Sequence, residues 1–584
     1  MNNNDNRSAI WLRVLLEISV TGLLLLAMAV PRLLGLDRFI TPDETLWLDR
    51  AGKFYYALNH HDLTVAVGHP GVTIMWAGFA SYTLEYPQNI PGQKGLDHTL
   101  TLLAMKQRQF DLPLRLLITA RRILILFNLL ALVTSFLFAQ QLFGKLPALV
   151  GFLLIAFDPF HIGLTKILHL DGTLANLMLL SVLAFLVYLE RRSKIAFLVS
   201  AVATGLAWLT KSPGLFLIPF IILLTLLYQR KSESAEASRW RSISSDVKML
   251  AGWTAIAVLV FWLLWPAMWV KPIDTLANVF KVAIGYAEEG HESSMFFNGQ
   301  LYLSGKIADI RFYPINFLWR TTPITLLGLL AAPVMLIRKN SVPHSESGSR
   351  FRSQYSLTNS SMSDRNNISN MDSQKWAVIA LLLFALGFGA FITIGLKKFD
   401  RYIIPSIVTL DLVAGVSLVW LAQWAGQFLR ESWKTAVMGT LLLSLVVVQA
   451  VLAWKAFPYF FNYYNPLLGG TSQAVKVMQI GWGEGLDQAA RYINEKPNSN
   501  RLRVMAWYGD GPFLFLSKSP YYSLNSEWKD VDREYFNKAD YVVIYIHQLQ
   551  RNIPVELLDR LRSLQPEYSI WIDGLEYVRV YKIQ

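Results

Sequence analysis

The stretch TPDETLW, Thr41 to Trp47, sets two adjacent carboxylates, Asp43 and Glu44, behind a proline just after the first long apolar run of a 584-residue chain. A carboxylate can serve as a general base, taking the proton of an attacking hydroxyl. Charge that develops on a leaving group needs cations instead, and three groups stand at the ends of other apolar runs. Arg121 and Arg122 lie in ARRILIL, Lys211 in LTKSPG, and Lys397, Lys398 and Arg401 in LKKFDRYIIP. Such residues either snorkel to lipid headgroups or hold an anion such as a phosphate. His169 and Asp171 in LHLDGTL, and His69 ahead of Pro70 and Gly71, add polar groups at comparable places.

One carboxylate with several cations is a sufficient set for transferring a sugar from a lipid-linked phosphate. The departing phosphate monoester has a second pKa near 6, so it leaves without a proton donor once its charge is stabilised. A hydrolytic glycosidase instead sets two carboxyls roughly 5–10 Å apart across the scissile bond, which adjacent residues in one turn do not provide. The bland reading of Thr41-Pro42-Asp43-Glu44 is a helix start, with a cap and a proline in the first turn. His69, His169 and Asp171 are too scattered to define a metal site. No metal is assigned, and a divalent ion stays open as a cofactor.

The elements that must position these residues follow from composition. With 53% hydrophobic and 16% charged residues and a mean hydropathy of +0.34, the chain reads as a polytopic α-helical membrane protein. The formal net charge of +13 collects in short loops between apolar runs, a pattern of membrane orientation rather than of nucleic-acid binding. The absence of cysteine excludes disulfides and thiolate chemistry. Runs near 13–34, 117–140, 147–165, 170–189, 195–211, 213–229, 249–269, 314–337, 375–396, 402–425 and 435–454 predict about eleven crossings. The first of them holds an AMA resembling a signal-peptidase site, but the spans that follow favour a retained helix.

Basic loops after Arg191, after Arg230, from Arg338 to Lys375 and at Arg430 to Lys434 fall on one side, which the positive-inside rule makes cytoplasmic together with the N-terminus. A first outer loop (35–116), a loop at 270–313 and a C-terminal segment then lie outside the cytoplasm. A membrane domain over 1–454 and a small α/β domain over 455–584 are expected, the latter from strand-like 503–508, 541–547 and 568–583 and helix-like 485–496. Residues 339–374 read as a disordered Ser/Asn-rich linker. FDPFHIG, with Asp158 and His161, reads as a turn.

Several segments occur together in a familiar order: TPDETLWLDRAGKFYYAL and VGHPGVTIMWAG, then LDGTLANLMLL, GLAWLTKSPGLFLIP, KKFDRYIIP, YFFNYYNPLLGG (459–470) and GWGEGLDQAARYI (481–493). In this the chain resembles the protein O-mannosyltransferase and aminoarabinose transferase superfamily, that is, glycosyltransferase family 39 and its bacterial relatives with the GT-C fold. The resemblance implies an inverting glycosyltransferase of the plasma or inner membrane, acting outside the cytoplasm on a polyprenyl-phosphate sugar. Its acceptor would be a protein, glycan or lipid of the cell envelope. It also implies Asp43 as catalytic base, Glu44 as a neighbour orienting acceptor or sugar, and a donor-site element at His69 to Gly71. The alternative class is a polytopic transporter or lipid-linked-sugar flippase.

Overall fold

The computed structural model describes residues 19–63, 70–85, 102–103, 105–107, 109–232, 239–291, 293–303, 305–307, 309–338, 359–524 and 526–584. Most of them are helical. In chain order the helices that matter here are α1 (Ser19–Leu33), α2 (Pro42–Asn59), α3 (Val72–Glu85), α4 (Leu112–Phe143), α5 (Lys145–Ala156), α6 (Pro159–Lys166), α7 (Leu170–Arg191) and α8 (Lys194–Thr210). They continue as α9 (Leu217–Ser232), α10 (Arg239–Leu264), α11 (Pro272–Glu289), α12 (Phe312–Arg320), α13 (Pro323–Ile337), α14 (Asn359–Thr393), α15 (Ile404–Gly426), α16 (Glu431–Lys455) and α17 (Leu486–Asn494).

Among the described residues, seven helices are long and apolar enough to cross a membrane, or nine if each of two bent pairs is one span. The chain is a multi-pass membrane protein. The eleven apolar runs read from the sequence thus divide into seven long helices, the broken spans α5–α6 and α12–α13, and the shorter apolar helices α1 and α8. The breaks, of 66° and 115°, have a local cause. Each second half restarts at a proline, Pro159 or Pro323, which has no N–H to continue the previous helix and keeps the residue before it out of helical geometry. That preceding residue becomes an N-cap: Asp158 accepts from the His161 amide at 2.6 Å, and Thr322 from the Thr325 amide at 3.3 Å.

α7 and α15 are buried over nearly their whole surface and form the centre of the bundle, whereas α10 and α16 present most of their surface outward. Helices reach close approach through small residues. A Cβ added at Gly415 of α15 would stand 2.3 Å from the Gly151 Cα of α5, and one at Gly328 of α13 would stand 2.6 Å from Ala414.

The linker expected over 339–374 needs correction. Residues 339–358 lie outside the described residues, and from Asn359 onward the chain is already the first part of α14, continuous with the span that ends at Thr393.

Beyond the bundle, β3 (Val504–Trp507), β4 (Tyr521–Leu524), β5 (Tyr541–Tyr545), β6 (Tyr568–Ile572) and β7 (Leu575–Lys582) form one sheet in the order β4-β3-β5-β7-β6. β3 runs parallel to β4 and β5, while β7 runs antiparallel to β5 and β6. Asp573 and Gly574, both at positive φ, turn the β6–β7 hairpin. The loop at 270–313 holds a smaller hairpin, β1 (Met295–Phe297) and β2 (Gln300–Tyr302), whose Phe297 also bridges to Met478 below the sheet domain.

Gly415→Val, which forces α5 and α15 apart at their closest point, is expected to destabilise the protein by about 1–3 kcal/mol, read as a lowered midpoint of thermal unfolding in detergent.

Candidate functional site

The turn that opens α2 divides its two acids. Glu44 points into the protein and is fully buried. It accepts from the Thr41 amide at 3.0 Å, closing a capping box, and from the Leu168 amide at 2.7 Å. Arg121 of α4 grips it through Nε to Oε1 at 2.7 Å and Nη2 to Oε2 at 2.5 Å, and also donates to the Leu36 and Phe39 carbonyls at 2.6 and 2.7 Å. Asp43 faces the opposite way and is part-exposed. It lines a cavity of about 250 Å³ between the end of the bundle and the sheet domain.

Asp43 is one end of a chain of charges. Its Oδ2 lies 3.4 Å from His169 Nε2 and 3.3 Å from Arg401 Nη2. Behind them, Asp171 Oδ2 stands 3.5 Å from His169 Nδ1 and 3.3 Å from Arg401 Nε, while its Oδ1 accepts from Lys211 Nζ at 2.6 Å. Asp171 enters through the first turn of α7, Lys211 through the break between α8 and α9, and Arg401 through the short 3-10 turn Asp400–Ile403 ahead of α15. Aromatic faces fix the cations: the Arg401 guanidinium is 3.8 Å from the Phe399 ring and 4.2 Å from Trp482, and Lys211 Nζ is 3.9 Å from Tyr402. Partial burial works against ionisation of Asp43. The hydrogen bond from His169 and the charges of Arg401, His169 and Lys211 outweigh it and bring the carboxyl down to about 2.

The remaining wall was not singled out from the sequence. Arg320, at the end of α12, donates to Asp400 Oδ2 from Nε at 2.9 Å and from Nη2 at 2.5 Å, and to the Phe461 and Tyr463 carbonyls at 2.7 and 3.0 Å. An arginine inside an apolar run is itself a functional signal, and in FLWRTTP it stood in plain sight. The sheet domain and the segment leading into it add Trp482, Glu484, Tyr508 and His547. Tyr508 and His547 are joined by a 2.8 Å hydrogen bond, and His547 also meets Gln479. Trp482 and Glu484 lie in GWGEGLDQAARYI, whereas no local pattern marks Tyr508 and His547, which the sheet topology brings to the cavity.

Of the residues expected at a site, the structure brings together Asp43, His169, Asp171, Lys211 and Arg401. Others are elsewhere. Glu44 and Arg121 form the buried pair and do not line the cavity, which corrects the substrate-orienting role read for Glu44 and the phosphate-binding role read for Arg121. Arg122, the next residue on α4, is exposed. Lys398 donates to the Thr393 and Gly395 carbonyls at 2.7 and 2.6 Å, finishing the C-terminus of α14, and Lys397 is not a cavity residue. His69 lies outside the described residues. Among the described residues, no group of three or more His, Cys, Asp or Glu side chains is placed to hold a metal ion.

Residues 117–265, about a quarter of the chain, match the family described as dolichyl-phosphate-mannose-protein mannosyltransferase. Among curated proteins none matches the sequence. Two similar solved structures are ArnT from Cupriavidus metallidurans bound to undecaprenyl phosphate, and the archaeal oligosaccharyltransferase AglB from Archaeoglobus fulgidus in complex with an inhibitory peptide and a dolichol-phosphate. The first is 16% identical, with a TM-score of 0.46 and 97% of each chain covered. The second is 11% identical, with a TM-score of 0.45, covering 92% of this chain and 70% of that one. Superpositions below 0.5 leave the site to be read from its own residues.

The two acids of α2 are expected to separate by substitution. Glu44→Gln leaves the Arg121 charge buried without its partner and costs about 3–5 kcal/mol, whereas Asp43→Asn, at a part-exposed position, changes stability by less than about 1 kcal/mol. Thermal unfolding of the two purified variants checks the contrast.

Proposed function

We propose that the protein is an inverting glycosyltransferase of the plasma or inner membrane, moving a sugar from a polyprenyl-phosphate donor to an acceptor hydroxyl on the extracytoplasmic side. In this reading the N-terminus is cytoplasmic and the sheet domain lies outside. The acceptor is a hydroxyl of a protein, glycan or lipid. The observation that carries the reading is the cluster itself: one part-exposed carboxylate at the wall of a cavity, with Arg401 in contact and Lys211 one residue behind.

The reaction needs few parts. As the acceptor oxygen forms its bond to C1 of the sugar, its proton passes to an Asp43 oxygen. The bond between C1 and the phosphate oxygen breaks, and the electron pair leaves with the phosphate. A single displacement inverts the configuration at C1. The charge on the leaving phosphate is met by Arg401, with Arg320 in the same wall and Lys211 behind Asp171. A carboxylate at about 2 is a feeble base. Its low value depends on Arg401 and His169, and the phosphodiester anion of the donor competes for the same groups. Donor binding therefore draws cationic charge off Asp43 and raises its basicity when a base is required.

The two broken spans, with ionisable residues at the breaks, give a specific reason to keep the transporter reading as the rival. The deciding experiment incubates the purified protein with a panel of polyprenyl-phosphate sugars and follows donor consumption and acceptor mass by mass spectrometry. Transfer from one class of donor is expected, falling about 10²–10⁴-fold in Asp43→Asn. Undiminished transfer by that variant, or vectorial transport of an intact lipid-linked sugar in liposomes without transfer, would overturn the reading.

The pH profile gives an independent check. Because the free protein holds Asp43 at about 2, the base is ionised at every pH above roughly 3, and the wild-type profile of kcat/KM has no acid limb from Asp43 near neutrality. In Arg401→Gln the largest charge holding Asp43 down is gone while burial remains. Its pKa rises, and an acid limb is expected to move upward by about one pH unit or more.

A further inference from the structure

Away from the cavity, both broken spans face α15, and a set of buried oxygens gathers between them. At the first break Asp158 spends one carboxylate oxygen on capping α6, and its Oδ2 has no hydrogen-bond partner. At the second break Thr322 bonds Thr325, whose hydroxyl donates to Asp411 Oδ1 of α15 at 2.6 Å. Asp411 Oδ2 has no partner, nor has the hydroxyl of Thr321. Gln449 of α16 donates its amide to the Leu154 carbonyl near the end of α5, which leaves its Oε1 unbonded, and the Tyr463 hydroxyl is unbonded as well. All five side chains are at least nine-tenths buried. Tyr463 lies within electrostatic range of both carboxyls, and the two carboxyls lie within range of each other.

Charge is unbalanced here. Among the described residues neither Asp158 nor Asp411 is in an ion pair. The basic groups within range of Asp158 are Arg32 and Arg320. Arg32 is bonded to Thr165, His161 and the Met28 and Ala156 carbonyls, and Arg320 is already paired with Asp400. With both carboxyls ionised, crediting Arg32 against one of them leaves one negative charge buried within the helical bundle, a state that needs a counter-charge. The Tyr463 hydroxyl, within range of both carboxyls, makes no hydrogen bond to either, and the Thr321 hydroxyl at the second break is likewise without a partner. The oxygens left without a partner at the two breaks are carboxylate, hydroxyl and amide oxygens, the donor set of a hard cation. Broken helices are where membrane proteins assemble such sets.

We propose that the junction of the two broken spans binds one monovalent alkali cation, of sodium or potassium size, between Asp158 and Asp411, with oxygens of Thr321, Tyr463 and Gln449 as further ligands. One residual negative charge calls for a monovalent rather than a divalent ion. Thr321 follows Arg320 directly in the chain, at the 115° bend. The ion therefore holds the bend that presents Arg320 to Asp400 and to the cavity. The site stands apart from the assignment of the cavity to sugar transfer, and its test does not use that activity.

Purified full-length protein is measured in NaCl, KCl and choline chloride at equal ionic strength, by thermal unfolding and by equilibrium binding of radioactive sodium and rubidium. Expected are saturable binding of about one ion per chain and a midpoint several degrees higher in the favoured alkali salt than in choline, both lost in Asp411→Asn. Tyr463→Phe, a milder change that serves if the first variant fails to fold, is expected to weaken binding about tenfold. The proposal is overturned by absence of ion binding with equal midpoints in the three salts, the behaviour of two carboxyls sharing a proton. It is equally overturned by binding that neither variant weakens.

Discussion

The buried ion pair between Glu44 and Arg121 is the constraint on which the site depends. It joins three parts of the chain that are distant in sequence: the opening turn of α2, the middle of α4, and the segment at Leu168 that leads into α7. Arg121 adds the carbonyls of Leu36 and Phe39, so the connection between α1 and α2 is fastened as well. With every lone-pair direction of Glu44 occupied, the helix has one rotational setting. On a helix, neighbours in sequence point roughly 100° apart, and the setting that buries Glu44 turns Asp43 out to the cavity. Two adjacent acids thus have different work because one is an anchor for the other.

The cavity is electrostatically complete before any substrate enters. Asp43 and Asp171 balance Arg401 and Lys211, and Arg320 balances Asp400. Such compensation lets several charges stay ionised in a partly dry site, and it makes anion binding an exchange of partners rather than a simple addition. The donors are aimed by neighbours that do not titrate: Phe399 and Trp482 sandwich Arg401, and main-chain carbonyls of the 461–463 segment hold Arg320. The geometry is therefore set by packing, and the charges can be redistributed without moving it far.

How much of this was legible beforehand follows from where each signal resides. Eleven apolar runs fall on helices because hydropathy over some twenty residues is a local property. Asp43, Asp171, Lys211 and Arg401 were visible as polar residues at the ends of such runs. Arg121 had the same signature and a different role, since a cation at a helix end looks alike whether it faces a cavity or a buried carboxylate. The bend at Asp158-Pro159 was legible as a turn in FDPFHIG, whereas the one at Thr322-Pro323 had its proline on show but lay within an uninterrupted hydropathic run. Tyr508 and His547 had no local mark, because only the pairing of β3 with β5 and the loops around them bring those side chains to the bundle, and Trp482 lay in GWGEGLDQAARYI with no role of its own read for it. The first part of α14 was read as a linker from its polar composition, and composition does not register a helix that extends from an apolar one.

The sheet domain is more than a cover for the cavity, because its loops touch the same turn that the ion pair anchors from below. At Gly483, with φ at +122°, a Cβ would stand 2.6 Å from the Ile40 carbonyl, and one at Gly511 would stand 3.2 Å from the Pro42 Cα. Thr45 donates to the Asp510 carbonyl at 2.5 Å. Backbone from the domain is thus pressed against the backbone around Thr41 and Pro42, at distances that glycine alone allows. The turn bearing Asp43 is held between Arg121 on the membrane side and these two glycine loops on the other. In the proposed reading, where Asp43 takes the acceptor proton, the carboxylate needs its backbone fixed from both directions. In this chain that requirement is met only when the bundle and the sheet domain are folded together.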